Sequence, residues 1–358
     1  MAARSRAPNL FSVPLEDSRT SLIYRTRLTR CIGLFCSWIL SSFDDYSPTW
    51  LQDVSRVNQL LCSFIQHLYD SNQPLYVARH TVAGVQDRLP QLRGKLHRAW
   101  NAVKAWHMSL TVQSRVPFTS QILDSLFLKA VDLGLGKTGG AAHWFSLAVL
   151  IKVGFFGVLR AEEVSQLRVG HVHFTKHVSL SPVAILAIVS PKTKAVFGRS
   201  QFVIVKDEAT VCWLEWLCAG LPKQAKLWPS DGPKFRKMFK TLTRSLGLDH
   251  LHFSPGSLRA SGATHYLVSG LSVAHIQHMG RWASERSLHV YLQEATASLV
   301  LNQVSPELFH IFSDVLFAQA HTLAKPPNQH WSRFFSRRKQ WPLVPLRHKN
   351  SSNMRSHF

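Results

Sequence analysis

Apolar residues recur at helical spacing along most of the chain, and polar breaks divide the pattern into elements. From about Thr20 to His107 the reading is helical throughout. TSLIYRTRLTRCIGLFCSWILSSF opens on a Thr/Ser cap and sets Leu, Ile and Phe on one face. SPTWLQDVSRVNQLLCSFIQHLYD repeats the pattern behind a Pro at the first helical position. Stretches near Val77 to Arg88 and Pro90 to His107 predict two more helices, with Arg and Lys scattered over the polar faces. Residues 1–18 lack such a pattern and read as disordered.

TVQSRVPFTSQ, from Thr111 to Gln121, is polar, carries a Pro and has no period, so it reads as a linker. Helix resumes at Ser120 and runs to about Leu133. LGLGKTGGAAH is a glycine-rich break that contains GLGKT without the full phosphate-loop pattern, so nucleotide binding is set aside. WFSLAVLIKVGFFGVL, from Trp144 to Leu159, is apolar all round. It is too short for a membrane span and contains Lys152, which makes it a buried helix.

LRAEEVSQLRVGHVHF predicts a helix leading into a strand. VAILAIVSPKTKAVFGRSQFVIV holds two β-rich runs about a polar turn, a hairpin signal. ATVCWLEWLCAG and KFRKMFKTLTRSLG read as helices. Three short helices follow: one from Ser254-Pro255 to Gly270, one from Ser272 to Gly280, and one from near Ser284 that carries Tyr291. Each has a Ser cap, and the first two have a Gly stop. Pro306 opens an amphipathic helix, PELFHIFSDVLFAQA, with Leu308, Ile311, Phe312, Val315 and Leu316 on one face. That face would dock on a neighbouring subunit or on its own domain. The expected fold is mainly α with a small antiparallel β-sheet (α+β). The expected divisions are a disordered stretch 1–18, a helical domain 19–112, a mixed helix-and-hairpin domain 113–322 and a basic tail 323–358.

Charge narrows the partner. The 358 residues hold 42 Lys+Arg against 20 Asp+Glu, a net charge of +22. Such an excess points to a polyanion, either nucleic acid or an acidic membrane. The membrane reading is disfavoured because the amphipathic helix lacks a basic polar face. Five cysteines on apolar segments (Cys31, Cys36, Cys62, Cys212, Cys218) form no CxxC pair, which fits a reducing, intracellular compartment. Val315 to Phe358 contains no acidic residue; this basic tail reads as a nuclear signal or a DNA-gripping arm.

Candidate chemistry lies in three stretches. SPGSLRASGAT holds Arg259, GRWASERSLHVYLQ holds Trp282 and Tyr291, and FGVLRAEEVSQLRVGHV holds Arg160 and Glu163. Breaking a DNA phosphodiester without a metal needs an in-line nucleophile, cations on the non-bridging oxygens and an acid for the departing alkoxide. A covalent intermediate must also store the bond. Tyrosine suits the nucleophile, and the planar arginine fork suits phosphate oxygens.

In these stretches, residues 150–295 resemble the catalytic domain of the Cre- and Xer-like tyrosine recombinases, or phage-type integrases. The resemblance implies that Arg160 and Arg259 are the catalytic arginines and that Glu163 buttresses them. The hairpin turn PKTK resembles the family's lysine element, with Lys194 as first candidate for general acid and Lys192 as the alternative. Trp282 occupies the position filled by His or Trp, and Tyr291 matches the nucleophile. The triplet GRW resembles recombinases of eukaryotic mobile elements and viruses more than bacterial ones, which would place the protein in a nucleus.

One departure stands out: Gly256 occupies the place of the usual second-box histidine, with His252 and Ser257 as nearby substitutes. The resemblance implies a homotetramer gripping two double-stranded DNA sites, a 3′-phosphotyrosyl intermediate and a Holliday junction. It implies no metal, no nucleotide cofactor, no small-molecule substrate and no membrane. A DNA-binding protein descended from a recombinase and a type IB topoisomerase-like enzyme are the alternatives. His143, His265, His275 and His278 lie near these boxes and read as packing or phosphate-contacting residues, because no spacing suits a metal.

Overall fold

The structure, a computed structural model, describes residues 22–110, 116–136, 140–175, 182–189, 191–198 and 200–304. The chain divides into two compact units at Gln113/Ser114. The helix expected from Pro306 and the basic tail lie outside the described residues, as do residues 1–18.

In the first unit, α1 (Leu22–Ser42), α2 (Val54–Asp70), α3 (Leu75–Arg88) and α4 (His97–Ser109) enclose a core. Phe35, Leu61, Phe64, Val82 and Leu96 are buried in it. Asp53 caps α2, its carboxylate accepting from the Ser55 N–H at 2.8 Å. The buried Asn58 donates to the carbonyls of Val54 and Lys95 and accepts from the Ala99 N–H, which ties α2 to the start of α4. A buried amide is tolerated only when its donors and acceptor are matched in this way.

The second unit is built around α6 (Ala141–Phe156). Every residue from Trp144 to Phe155 is buried, as an all-apolar helix requires. Lys152, the one charged residue in that run, reaches Asp124 at 3.1 Å and lies over the Phe127 ring. Asp124 belongs to α5 (Ser120–Leu135). α7 (Ala161–Gln166) follows and leads to β1 (Val172–Thr175). β2 (Val183–Ile188), α8 (Lys194–Phe197) and β3 (Gln201–Val205) complete a three-stranded antiparallel sheet in the order β1-β2-β3. Val172 pairs with Leu186, and Ile185 with Ile204. Ala184, Leu186, Val203 and Val205 face the core, while Phe202 and Ile204 are exposed. The polar turn expected between β2 and β3 holds the short helix α8, one turn that begins at Lys194.

α9 (Glu208–Cys218), α10 (Gly232–Ser245) and α11 (Ser257–Val268) come next, then α12 (Val273–Gly280), α13 (Glu285–His289) and α14 (Glu294–Gln303). The fold is mainly α with a small antiparallel sheet. Three details differ from the sequence reading. α11 starts at Ser257 rather than at Ser254-Pro255; the Ser254 carbonyl accepts from the Ser257 N–H at 2.8 Å, which forms a turn ahead of the helix. α12 stops after Gly280, but the left-handed residue that ends it is Arg281. Tyr291 lies past the end of α13, in the turn before α14. α13 is short because Val290 closes it, its N–H turning back to Leu288.

Candidate active site

α7 positions the carboxylate on which the site converges. Arg160 precedes this helix, and Glu163 in its first turn reaches back to the Arg160 N–H at 2.9 Å, satisfying a helix-start donor. The same carboxylate accepts from the Arg160 guanidinium at 2.8 Å. Arg281, far along the chain, then forks onto both oxygens, at 2.7 and 3.3 Å. Burial works against ionisation of Glu163, but the Arg281 charge and hydrogen bonds, with those of Arg160, outweigh it and hold the carboxyl below its ordinary value.

α11 supplies Arg259, of which 1% is exposed. The close approach of α11 to α6 is made by Gly262, since a Cβ there would lie 2.1 Å from the Phe155 carbonyl oxygen. Arg259 donates from Nη1 to the Val158 carbonyl at 2.6 Å and from Nη2 to the Gly280 carbonyl. Val158 and Arg281 both carry positive φ, 49° and 58°. A β-branched residue there is strained, and such strain gathers where a carbonyl must be aimed.

Trp282, 4% exposed, lies over Arg259 with the guanidinium carbon 3.8 Å from the ring centre. Tyr291 meets the indole at 5.2 Å between ring centres, inclined at 60°. Its backbone carbonyl accepts from the Thr264 hydroxyl at 3.1 Å, which anchors the turn to α11.

Three guanidiniums therefore gather about one carboxylate. Burial, followed by the charges of Arg160 and Arg281, pulls Arg259 down from the guanidinium range to about 9. It is still protonated at neutral pH, and the cluster carries an excess of positive charge suited to an anion.

The structure brings Arg160, Glu163, Arg259, Trp282 and Tyr291 together. Lys192 is exposed in the hairpin turn, and Lys194 opens α8. A cleft of about 240 Å³ lined by Glu163, Gln166, Arg168, His171, Ile188 and Val189 runs from the site to the end of β2, where that turn begins. Gly256 ends the turn before α11 with φ −70° and ψ −22°. His252 is exposed and left-handed, and Ser257 is buried with its hydroxyl accepting from the Ser254 N–H at 3.3 Å.

Among the other histidines, His265 packs on Phe155 and Phe156, and burial lowers it. His143 packs on Trp228 and lies 3.0 Å from the Lys234 ammonium; burial, then that charge, lowers it. His275 and His278 are exposed. Among the described residues no group of His, Cys, Asp and Glu gathers to hold a metal, and no helix is long and apolar enough to cross a membrane. Sequence reasoning missed Arg281. Its only signal was its place directly before Trp282.

The phage integrase family model matches residues 141–298. Among solved structures, the chain is similar in fold to the XerH site-specific recombinase bound to palindromic difH substrate in a post-cleavage complex. Identity there is 13%, covering 77% of each chain, with a TM-score of 0.53. The Tn1549 transposon integrase in complex with transposon right end DNA matches at 10% identity over 76% of this chain and 99% of that one, with a TM-score of 0.46. A lambda integrase dimer bound to a COC' core site matches at 13% identity over 80% and 83%, with a TM-score of 0.40. No curated protein sequence matches.

Proposed function

We propose that the chain is a tyrosine recombinase that cleaves and rejoins double-stranded DNA, a reading supported by the match of residues 141–298 to the phage integrase family model. The observation that carries the reading is the gathering of Arg160, Arg259 and Trp282 beside Tyr291, with Glu163 as the one carboxylate among the guanidiniums.

In this mechanism the Tyr291 oxygen attacks the scissile phosphorus as its phenolic proton passes to solvent. The bond from phosphorus to the 5′-oxygen breaks, and a 3′-phosphotyrosyl ester remains. Arg160 and Arg259 neutralise the non-bridging oxygens as the pentacoordinate transition state forms. The Trp282 indole N–H donates to the same phosphate. Lys194, or Lys192 in its place, protonates the departing 5′-oxygen. The 5′-hydroxyl of a partner strand then attacks the ester and releases Tyr291. Two rounds on paired sites, performed by four copies, give a Holliday junction and then recombinants.

Arg259 has Trp282 across its face, and backbone carbonyls accept from both of its Nη atoms. Binding is driven by the +22 charge and weakens steeply with salt.

The test is a suicide duplex that traps the covalent intermediate, drawn from DNA flanking the gene. The chain should form an adduct and Tyr291→Phe should form none while still binding. Binding without an adduct would overturn the enzyme reading in favour of a DNA-binding descendant, which the glycine at position 256 favours. Adduct and plasmid relaxation without exchange between two sites would favour a topoisomerase-like enzyme.

A further inference from the structure

Arg281 has no role in the mechanism just described, yet it is buried in the site and paired with Glu163. Only 4% of it is exposed. Its fork closes on Glu163 across 118 positions of sequence, with Nη2 at 2.7 Å from one oxygen and Nη1 at 3.3 Å from the other. The other residue on that carboxylate, Arg160, is only three positions away. The Arg281 contact therefore joins α7 directly to the turn after α12.

The backbone at Arg281 is left-handed, with φ 58°. A residue bearing a Cβ is disfavoured there. Two consequences follow from that conformation. The Gly280 carbonyl turns toward Nη2 of Arg259. The Trp282 ring folds back over Gly280 so closely that a Cβ at that glycine would lie 1.6 Å from the indole. The ring then covers Arg259 and presents its other partner, Tyr291.

We propose that Arg281 is a positioning residue: its fork on Glu163 latches the Gly280–Trp282 turn against α7, and this latch sets where Arg259 and Tyr291 face the phosphate. A lysine is a point charge and does not span both carboxylate oxygens, so the latch is specific to the planar fork. The proposal rests on the strand-transfer reading of the site.

The experiment compares the full chain with Arg281→Gly and Arg281→Lys. Glycine adopts φ 58° without strain, so Arg281→Gly removes the fork but leaves the backbone free to keep its course. Four quantities are measured: melting temperature, affinity for the suicide duplex, the rate of covalent adduct formation, and hydrogen exchange of residues 278–292. Arg281→Gly should bind DNA almost as the parent does. Its exchange at 278–292 should rise while that of α6 stays unchanged. Its adduct rate should fall by about 100-fold, the scale set by a displacement near 1 Å in a reacting group. Added methylguanidinium should restore part of that rate in Arg281→Gly and do nothing for the parent. Arg281→Lys should fall in between and gain nothing from methylguanidinium.

An unchanged adduct rate in Arg281→Gly overturns the proposal, as does unchanged exchange at 278–292. A fall in rate with no recovery in methylguanidinium and a matching fall in melting temperature also overturns it, because that is a general loss of stability. If the parent itself forms no adduct, the strand-transfer reading fails, and the exchange comparison alone decides whether Arg281 holds the turn.

Discussion

Arg259 and Trp282 form a stack in which the guanidinium carbon stands 3.8 Å from the indole centre, and the same indole meets the ring of Tyr291 at 5.2 Å. The indole is thus both a lid on a buried cation and a support for the proposed nucleophile. A desolvated cation over a tryptophan face gains more than an exposed one, on the order of 2 kcal/mol.

Trp282→Phe keeps an aromatic face and should fold with a melting temperature within a few degrees of the parent. It loses the indole N–H, so covalent adduct formation should slow by about 100-fold, the scale of one lost donor to the transition state. Trp282→Ala opens a cavity and uncovers Arg259, and the loss should be about 3–5 kcal/mol. Chemical denaturation read beside the suicide-duplex assay checks both. An adduct rate in Trp282→Phe equal to the parent's would remove the indole N–H from the mechanism.

Two glycines separate fold from site. At Gly262 an added Cβ would lie 2.1 Å from the Phe155 carbonyl oxygen, so α11 must move off α6. At Gly280 it would lie 1.6 Å from the Trp282 ring, so the indole must move instead. Gly262→Ala should therefore lower the melting temperature of the second unit strongly, because the obstacle is backbone in the core. Gly280→Ala should melt closer to the parent but lose most of its adduct formation. The reverse ranking in thermal melts would show that the Gly280 turn belongs to the core.

The helices and the hairpin were legible because their periods are long and clean: the all-apolar run around α6 and the alternation in β3 leave little choice of element. Arg259, Trp282 and Tyr291 stood out by residue types and spacing that suit phosphate chemistry, Arg160 and Glu163 only through the resemblance to tyrosine recombinases, and the fold gathers these side chains in one place. What the sequence concealed is tertiary. Arg281 looks like any surface cation until Glu163, far away in the chain, is folded beside it. The left-handed stop after α12 was expected at a glycine and falls on this arginine, because the Glu163 contact over-rides the local preference. Val158 is left-handed against its β-branched nature for the same kind of reason, since its carbonyl serves Arg259. Tyr291 lies beyond α13 because α13 ends in one short turn, a boundary that periodicity does not resolve.

Acid should weaken the Glu163 hub in a defined window. Its carboxyl is held below the ordinary value of 4.5, so its stabilising contribution is fully present above that value. The contribution is lost as pH falls through the lower folded-state value, where the proton displaces Arg281 and Arg160. Glu163→Gln should melt lower than the parent at neutral pH, since Arg281 is left buried without its partner. The gap between the two should then narrow as pH falls below about 4.5. Melting temperatures taken at steps from pH 7 to pH 3 test this, and a gap that stays constant would mean that the pairing with Arg281 is not coupled to stability.

The glycine at position 256 invites the opposite kind of change, one that adds function. Its φ of −70° and ψ of −22° are ordinary for any residue with a side chain, so the backbone there does not demand glycine. The position opens α11 three residues before Arg259, where an imidazole at a helix start would stand beside the phosphate clamp. If the proposed mechanism lacks only help with proton movement, Gly256→His should raise the adduct rate. General acid–base assistance is worth about 100-fold or more when well placed, and a grafted group should deliver a fraction of that. The rate of Gly256→His should also acquire a dependence on pH near the imidazole range, about 6.5, that the parent lacks. The assay is the suicide duplex run from pH 5.5 to 8.5 for both chains. A faster reaction with the new pH dependence would identify proton transfer as the step that the glycine slows. A properly folded Gly256→His with the parent's rate and profile would mean that Arg160, Arg259 and the hairpin lysine already carry the chemistry without an imidazole.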